Sequence, residues 1–239
     1  MSEDLQELAV ATSLGGSPEC RPLTTACERS FSRRSHVCFG ISPFNSYFTT
    51  ARITAIARWG FREFDAVHFF VPDVPAVHTL EALGYSPEKA RHKAHRQGRY
   101  VYNKICRALD DLGIVNPGEL ILNWPILRDN GRYLELLGQA HALFDEDPNF
   151  RATCVAASAW VLEGRLPDGA EPTDHQLHIA VRYLLAEFPL FVDTAGIVGA
   201  DASVFCYHQA PAFLEQLYAG ALPWKTADEQ GFVRYVSEL

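Results

Sequence analysis

Short apolar runs alternate with longer amphipathic segments along most of this chain, and that alternation limits the folds open to it. The first run, 36–41, contains β-forming residues and ends at the turn signal Ser42-Pro43. A second run of this kind covers 66–71, and between the two the apolar residues of 48–60 recur at a helical spacing. Alternating strands and helices predict an α/β fold, in which a Rossmann-like parallel sheet is flanked by helices.

The other elements are predicted from the same patterns. They are helices over 76–83, 86–112, 173–188 and 212–218, two more helices within 133–163, and strands over 119–122, 203–206 and 232–236. The helix that begins after the cap residue Thr173 is expected to end at Phe188, because Pro189 follows it.

Composition excludes disordered and fibrous classes, since 48% of the 239 residues are hydrophobic and 21% are charged. Residues 1–30 are expected to form a poorly ordered tail and residues 31–239 a single domain. No apolar run is long enough to span a membrane, and the acidic start Met1-Ser2-Glu3-Asp4 is unlike a signal peptide. A cytoplasmic protein is therefore expected. The six cysteines lack metal-ligand spacing, which predicts reduced, mostly buried thiols and no metal site.

Ser42 stands at the predicted carboxyl end of the first strand, the edge where open α/β sheets bind ligands. The segment from Gly40 to Phe44 resembles the nucleophile elbow GxSxG, but Phe44 occupies the second glycine position. Ser42 is thus a candidate nucleophile. The alternative is a turn residue, which is the commoner role of a serine after a strand.

Tyr183 and Glu187 are four residues apart on a predicted helix, so their side chains project from one face. They lie beside the apolar stripe of that helix, where an unpaired carboxylate would be costly. Together they are candidates for binding an ammonium group. The alternative is a surface glutamate beside a half-buried tyrosine.

The predicted strand 203–206 is followed by Tyr207 and His208, both of which are possible proton carriers. His208 is a candidate base for Ser42, or a residue that orients a loop by hydrogen bonding. Cys38 and Cys206 are poor candidates for a nucleophile, because a reactive thiolate needs an electropositive, accessible setting that their apolar runs do not supply.

The long helix over 86–112 carries a basic stripe. Six residues fall within roughly 80° of one another at about 100° per residue, namely Lys89, Lys93, Arg96, Tyr100, Lys104 and Arg107. Seven of the 21 lysines and arginines lie between Lys89 and Arg107, in a chain whose net charge is −8. Such segregation favours a phosphate backbone as the partner over a solvated face, which would interleave acids with bases. The motifs GxGxxG, GxxxxGK[ST] and HExxH are absent, so nothing indicates ATP or zinc-protease chemistry.

Three separated segments together resemble the cyclodipeptide synthases, in particular their Asn-Tyr-His subfamily. They are Gly40-Ile41-Ser42-Pro43-Phe44-Asn45-Ser46-Tyr47-Phe48, Tyr183-Leu184-Leu185-Ala186-Glu187-Phe188-Pro189-Leu190-Phe191 and Cys206-Tyr207-His208. The resemblance extends from about residue 36 to about residue 217 and includes the basic helix. It implies a fold similar to the catalytic domain of class I tyrosyl- and tryptophanyl-tRNA synthetases.

The resemblance also implies a reaction: two aminoacyl-tRNAs are used, without ATP or any cofactor, to form a 2,5-diketopiperazine. According to this resemblance, Ser42 carries first an aminoacyl group and then a dipeptidyl group, which is a form of covalent catalysis. Tyr183 and Glu187 would hold the ammonium of the first substrate, and Tyr207 would relay protons. Asn45 and His208 would arrange the loops around Ser42. A monomer is expected.

Substrate contacts follow from the same resemblance. The tRNA contacts would be Lys93, Arg96, Arg99, Lys104 and Arg107, although relatives often have consecutive arginines where this chain has Asn103-Lys104. The first aminoacyl pocket would be lined by Cys38, Gly40, Phe70, Leu190 and Phe205. Because Phe70 and Phe205 are bulky, a small first side chain such as alanine is expected. The second pocket would lie near 160–165, where Arg165 favours an acidic side chain and Glu163 argues against one.

Two other classes of protein remain open on the sequence. A serine hydrolase or acyltransferase would pair Ser42 with His208 and need Asp193 or Asp201 to orient the imidazole. A non-catalytic RNA-binding domain would need only the basic helix. The first leaves the basic stripe unexplained, and the second leaves Ser42 and Asn45 without a role.

Overall fold

A computed structural model describes residues 18–167 and 169–236. The strands are β1 (Glu19–Pro22), β2 (His36–Gly40), β3 (Ala66–Phe70), β4 (Ile121–Leu122), β5 (Ser203–Tyr207) and β6 (Gln230–Val236). The helices are α1 (Thr25–Ser32), α2 (Thr50–Glu63), α3 (Ala76–Ala82), α4 (Pro87–Asp110), α5 (Trp124–Leu127), α6 (Gly131–Glu146), α7 (Pro148–Glu163), α8 (Asp174–Val198) and α9 (Ala212–Tyr218), with a 3₁₀ turn at Pro117–Leu120.

The six strands form one sheet in the order β1-β6-β5-β2-β3-β4. All neighbouring pairs are parallel except β1 and β6, which are antiparallel. The predicted parallel sheet is therefore confirmed, with β2 at its centre between β5 and β3. The carboxyl ends of β2, β3 and β5 meet at one edge, where a ligand site is expected.

Helices cover both faces of the sheet, so the strands are buried on both sides. Alternate residues of each strand belong to two cores; on β2, Cys38 faces one and Phe39 the other. The Cys38 side includes residues of α6, α7, α8 and α9, and the Phe39 side includes residues of α2 and α4. In the described part of the chain, no helix is long and apolar enough to cross a membrane.

The predicted tail of residues 1–30 is wrong over its last part. Strand β1 adds to the edge of the sheet beside β6, and α1 begins after the cap residue Thr24, whose hydroxyl accepts a hydrogen bond from the Cys27 amide. The four residues of β1 were too short a run to show a period. Residues 1–17 of the predicted tail lie outside the described residues.

The predicted end of the helix at Phe188 is also wrong, because α8 continues through Pro189 to Val198. Pro189 removes one helical hydrogen bond, but its surroundings are apolar and buried. The Tyr133 hydroxyl donates to the carbonyl of Ala186 at 2.9 Å, one turn earlier. The regular helix is interrupted only at Asp193, where φ is −161° and ψ is 59°. Likewise, the first half of the predicted strand 119–122 belongs to a 3₁₀ turn, and only Ile121–Leu122 pairs with β3.

Candidate active site

Ser42 lies two residues beyond the end of β2, at the edge of the sheet where β5 and β3 also end. The preceding residue, Ile41, still donates to the carbonyl of Phe70 at 2.9 Å, so the sheet holds the backbone up to Ser42. Position 40 has no room for a side chain, because the ring of Phe205 occupies that space. A Cβ on Gly40 would lie 2.8 Å from Phe205 Cζ. The glycine thus lets an aromatic ring pack directly against the strand that presents the serine.

The loop that follows Ser42 contains a residue in the left-handed region, Phe44, with φ of +62°. This is the position that a nucleophile elbow reserves for glycine, and here a bulky residue occupies it in a backbone conformation that favours glycine. Its ring packs against Ala76 and Leu80 of α3 and Ala90 and Ala94 of α4. Because packing compensates the backbone strain, Phe44 serves where the sequence pattern would demand glycine.

A hydrogen-bonded chain runs from Ser42 through the end of β5. Ser42 Oγ lies 3.0 Å from the Tyr207 hydroxyl, and the Asn45 side-chain amide donates to that hydroxyl at 3.3 Å and to His208 Nε2 at 3.0 Å. The Tyr47 amide donates to Asn45 Oδ1 at 3.0 Å, which fixes the orientation of the Asn45 side chain. Since Tyr207 accepts from Asn45, its own hydrogen is available to Ser42.

On the other side of Ser42 stand the two residues of α8. The Tyr183 phenol lines the same cavity as Ser42 and Glu187, and both of these residues affect its pKa. Burial raises the pKa of Glu187 from its usual 4.5 to about 8, against a smaller opposing effect of the Tyr183 hydrogen bond. Burial and the neighbouring Glu187 raise the pKa of Tyr183 well above 10. Both side chains are half-buried, as expected for residues beside the apolar stripe of the helix.

His208 is enclosed by aromatic rings. It stacks on Tyr47 with ring centroids 4.0 Å apart, and the ring of Phe48 meets it edge-on at 5.4 Å. Burial and the charge of Arg52 lower the pKa of His208 to about 4, so the imidazole is neutral near pH 7. A neutral ring with Nε2 as acceptor is what the Asn45 amide requires.

The geometry does not assemble the triad of a serine hydrolase. The imidazole of His208 bonds to Asn45, and the Ser42 hydroxyl bonds to the phenol of Tyr207. Of the carboxylates considered for orienting His208, Asp193 is bonded to Arg132 and to the Gly196 amide, and Asp201 is exposed. Burial raises the pKa of both Cys38 and Cys206, which agrees with the prediction that neither is a nucleophile.

A cavity of about 570 Å³ opens at this edge and contains Ser42, Tyr183, Glu187, Tyr207 and Asn45 in its lining. Much of the remaining wall is apolar or small, including Ala157, Val161, Leu184, Phe191, Phe213 and Leu214. A pocket of this volume is large enough for two amino-acid side chains.

The residues predicted for the first aminoacyl pocket divide into two groups. Gly40 and Phe205 line the cavity. Among the described residues, Cys38, Phe70 and Leu190 are not part of its wall; they are buried in the core behind it. From the segment predicted for the second pocket, Trp160, Val161, Glu163, Gly164 and Arg165 do line the cavity.

The basic helix is α4, and its apolar face is buried against the domain. Arg96, Arg99 and Arg107 are exposed, as the hypothesis of phosphate contacts requires. The two lysines of the same set differ, because both are half-buried. Lys93 donates to the Tyr85 hydroxyl at 2.7 Å, and Lys104 donates to the carbonyl of Phe48 at 2.7 Å.

Sequence reasoning missed the supporting roles of Tyr47 and Phe48. Both belong to the segment on which the resemblance rests, yet no role had been assigned to them. Their rings surround His208, and Phe48 lies 5.8 Å from the ring of Tyr207. The available signal was the adjacency of two aromatic residues to the serine loop, which by itself indicates only a buried loop end.

Together, the sheet and this edge define a Rossmann-like α/β protein with a serine hydroxyl set between phenols, beside a buried carboxyl group. Comparison with known proteins specifies the class further. A sequence model described as "Cyclodipeptide synthase" matches residues 19–235. The chain belongs to the cyclodipeptide synthase family.

Relatives in sequence include the cyclo(L-tyrosyl-L-tyrosyl) synthase of Mycobacterium tuberculosis, 32% identical over 88% of this chain and 73% of that protein. The cyclo(L-leucyl-L-leucyl) synthase of Staphylococcus haemolyticus is 27% identical over 88% of this chain and 91% of its own length.

Solved structures agree. A cyclodipeptide synthase from Bacillus thermoamylovorans superposes with a TM-score of 0.86 at 30% identity, covering 93% of this chain and 97% of its own. A M. tuberculosis structure, described as demonstrating that cyclodipeptide synthetases are related to type I tRNA synthetases, superposes with a TM-score of 0.82 at 30% identity, covering 95% of this chain and 96% of its own. The predicted resemblance to class I synthetases is thereby confirmed.

Proposed function

We propose that this chain forms a 2,5-diketopiperazine from two aminoacyl-tRNAs, with Ser42 as the nucleophile. The observation that carries the proposal is the position of Ser42 Oγ, hydrogen-bonded to the Tyr207 hydroxyl and lining the same cavity as Tyr183 and Glu187. This arrangement places a hydroxyl, two proton carriers and a group for an ammonium within one cavity.

In the first step Ser42 Oγ attacks the ester carbonyl of an aminoacyl-tRNA. The bond from that carbonyl to the tRNA oxygen breaks, the tRNA leaves with a proton, and an ester forms on Ser42. Glu187 and Tyr183 receive the α-ammonium of the substrate. The ammonium favours the ionised carboxyl, so its arrival lowers the raised pKa of Glu187 and creates an ion pair in the cavity.

In the second step the amine of the Ser42-bound residue attacks the ester of a second aminoacyl-tRNA. A peptide bond forms, the second tRNA leaves, and a dipeptidyl ester remains on Ser42. The free amine of the dipeptide then attacks that ester, which closes the ring and restores the Ser42 hydroxyl. Tyr207 relays protons in these transfers, while Asn45 and neutral His208 hold its hydroxyl toward Ser42.

The acyl donors supply the free energy, so no ATP and no cofactor enters the reaction. The tRNA phosphates are received by the exposed arginines of α4, Arg96, Arg99 and Arg107. Because charged tRNAs are cytoplasmic, the protein is proposed to act in the cytoplasm. A monomer is proposed, because the groups assigned to the reaction all come from this chain and none is needed from a second copy.

The first amino acid is proposed to be small, such as alanine. The Phe205 ring fills the space beside Gly40, and Phe191 packs on Phe205 with ring centroids 5.0 Å apart. Both rings line the cavity, which narrows it close to the serine. Incorporation of phenylalanine or tyrosine as the Ser42-bound residue would contradict this assignment.

The proposed reaction is tested by expressing the wild type and Ser42→Ala in a bacterium and analysing the culture media by mass spectrometry. A cyclic dipeptide made by the wild type and absent with Ser42→Ala is the expected result, and its mass identifies both amino acids. Ser32→Ala, at the exposed end of α1, is the matched control and should match the wild type. A folded wild-type protein that releases no cyclic dipeptide would contradict the proposal.

A further inference from the structure

Lys104 differs from the arginines of α4 in where its charge lies. Its side chain is half-buried, whereas Arg96, Arg99 and Arg107 are exposed. The Lys104 ammonium donates to the backbone carbonyl of Phe48 at 2.7 Å and lies 4.6 Å from the centre of the Tyr100 ring. The group is thus directed into the protein, toward the loop that follows Ser42.

The carbonyl of Phe48 lies outside the regular hydrogen bonds of α2. That helix begins at Thr50 after the cap residue Thr49, whose own carbonyl accepts from the Ile53 amide. A buried carbonyl without a partner costs free energy, and a charged donor is a strong partner. Lys104 therefore fixes the end of the loop where it enters α2.

Phe48 connects the Lys104 hydrogen bond to the side chains around Ser42. Phe48 is 1% exposed, and the centroid of its ring lies 5.8 Å from that of the Tyr207 ring and 5.4 Å from that of the His208 ring. Its amide donates to the carbonyl of Asn45 at 3.4 Å. The three residues that orient the Ser42 hydroxyl from the β5 side are thus all in contact with Phe48.

We propose that Lys104 is a positioning residue: its ammonium holds the Phe48 carbonyl, and the Phe48 ring in turn holds Tyr207 and His208 for Ser42. The assignment rests on the proposed function. It removes Lys104 from the predicted tRNA contacts and leaves the phosphates to the exposed arginines. The Lys104 charge then acts on the rate of the chemistry and not on tRNA affinity.

The test separates these two roles by single-turnover acylation of Ser42, followed by intact-protein mass. Bulk bacterial tRNA charged with all amino acids is the substrate, over a range of concentrations and salt. Lys104→Met, which keeps the length of the side chain and loses the donor, should lower the rate at saturating tRNA about 10- to 100-fold. Its half-saturating tRNA concentration and its salt dependence should equal those of the wild type.

Two further α4 variants complete the comparison. Lys104→Arg retains a donor for the carbonyl and should recover most of the saturating rate. Arg107→Met, one turn away and exposed, should keep the saturating rate, raise the half-saturating tRNA concentration and reduce the logarithmic salt slope by about 1.

Phe48→Leu keeps the backbone carbonyl and removes the aromatic ring, so it should reproduce the kinetic pattern of Lys104→Met. It replaces Lys104→Met as the test variant if that protein does not fold. A saturating rate unchanged in Lys104→Met or in Phe48→Leu would overturn the assignment. So would a Lys104→Met variant that loses salt dependence as Arg107→Met does. A wild type that is never acylated on Ser42 would instead contradict the proposed function itself.

Discussion

The buried carboxyl of Glu187 lowers the stability of the folded protein when it ionises. Burial raises its pKa to about 8, so in the empty cavity the carboxyl is largely protonated at neutral pH. The unfolded chain would release this proton near pH 4.5, whereas the folded chain releases it only near pH 8. Between these values the folded state binds more protons, so stability falls as pH rises.

Glu187→Gln is therefore expected to stabilise the fold at pH 8, by about 2–4 kcal/mol, while abolishing acylation of Ser42. The glutamine keeps the size of the side chain and cannot ionise. Urea unfolding at pH 5 and pH 8 measures the effect, and the gain should be present at pH 8 and small at pH 5. Glu146→Gln, at an exposed position of α6, is the control. Equal stability of Glu187→Gln and the wild type at pH 8 would be inconsistent with a buried carboxyl.

At the scale of elements, α8 is the helix that carries the site and also the one with a break. Asp193 interrupts the helix, accepts from Arg132 Nε at 2.8 Å, and accepts from the Gly196 amide at 2.8 Å. The carboxylate thus restarts α8 after the break and joins it to α6. This junction sets the direction of the helix that presents Tyr183 and Glu187.

Asp193→Ala should lower the free energy of unfolding by about 2–4 kcal/mol, because Arg132 and the Gly196 amide lose a partly buried charged partner. Chemical denaturation measures this change. Glu135→Ala removes the other, more exposed partner of Arg132 and should cost less than about 1 kcal/mol. Similar losses in the two variants would show that the break in α8 does not depend on Asp193.

The second element with a distinct role is α4, whose exposed arginines are proposed to receive phosphates. Arg96→Gln combined with Arg99→Gln should weaken binding of bulk tRNA, and the logarithmic salt slope should fall by about 2. Fluorescence anisotropy across salt concentrations provides the measurement. Arg29→Gln, an exposed arginine on α1, should leave the slope unchanged. An unaltered slope in the double variant would place the tRNA on another surface.

At the scale of the whole molecule, buried histidines determine how the fold responds to acid. His36 bonds to Ser203 at 2.7 Å and to His68 at 2.8 Å, and burial with the neighbouring His68 lowers its pKa to about 3. Burial also lowers the pKa of His68 and brings that of His208 to about 4. Below pH 6.5 the unfolded chain gains protons that the folded chain does not, so stability falls as pH falls.

Each of these histidines should contribute about 1.4 kcal/mol per pH unit between its folded and unfolded pKa. We expect the free energy of unfolding to decline steeply from pH 6.5 to pH 4, as measured by urea titration at several pH values. His208→Gln should make the decline shallower by up to one proton, whereas exposed His175→Gln should not alter it. A flat profile over this range would contradict neutral buried histidines.

Most of the secondary structure was predictable because its signals are local. The strands that begin at His36 and Ala66 are apolar runs bounded by turns. The cap residue Ser86, followed by Pro87, predicted where the basic helix begins. Where the prediction failed, a distant partner decided the outcome. Strand β1 exists because β6 offers an open edge, and Pro189 is tolerated inside α8 because tertiary packing buries it there and overrides its local preference.

The candidate site divides in the same way. Residue types and spacing, with the family resemblance they carry, predicted that one site contains Ser42, Tyr183, Glu187 and Tyr207. Each of these residues lies at a strand end or on a helix face that the sheet order brings to one edge. Only the tertiary structure decided which cations of α4 face solvent, since a helical stripe spans an arc wide enough to include both half-buried lysines and exposed arginines. Likewise, the pKa values of Glu187 and His208 depend on burial by segments far apart in the chain, which no local pattern contains.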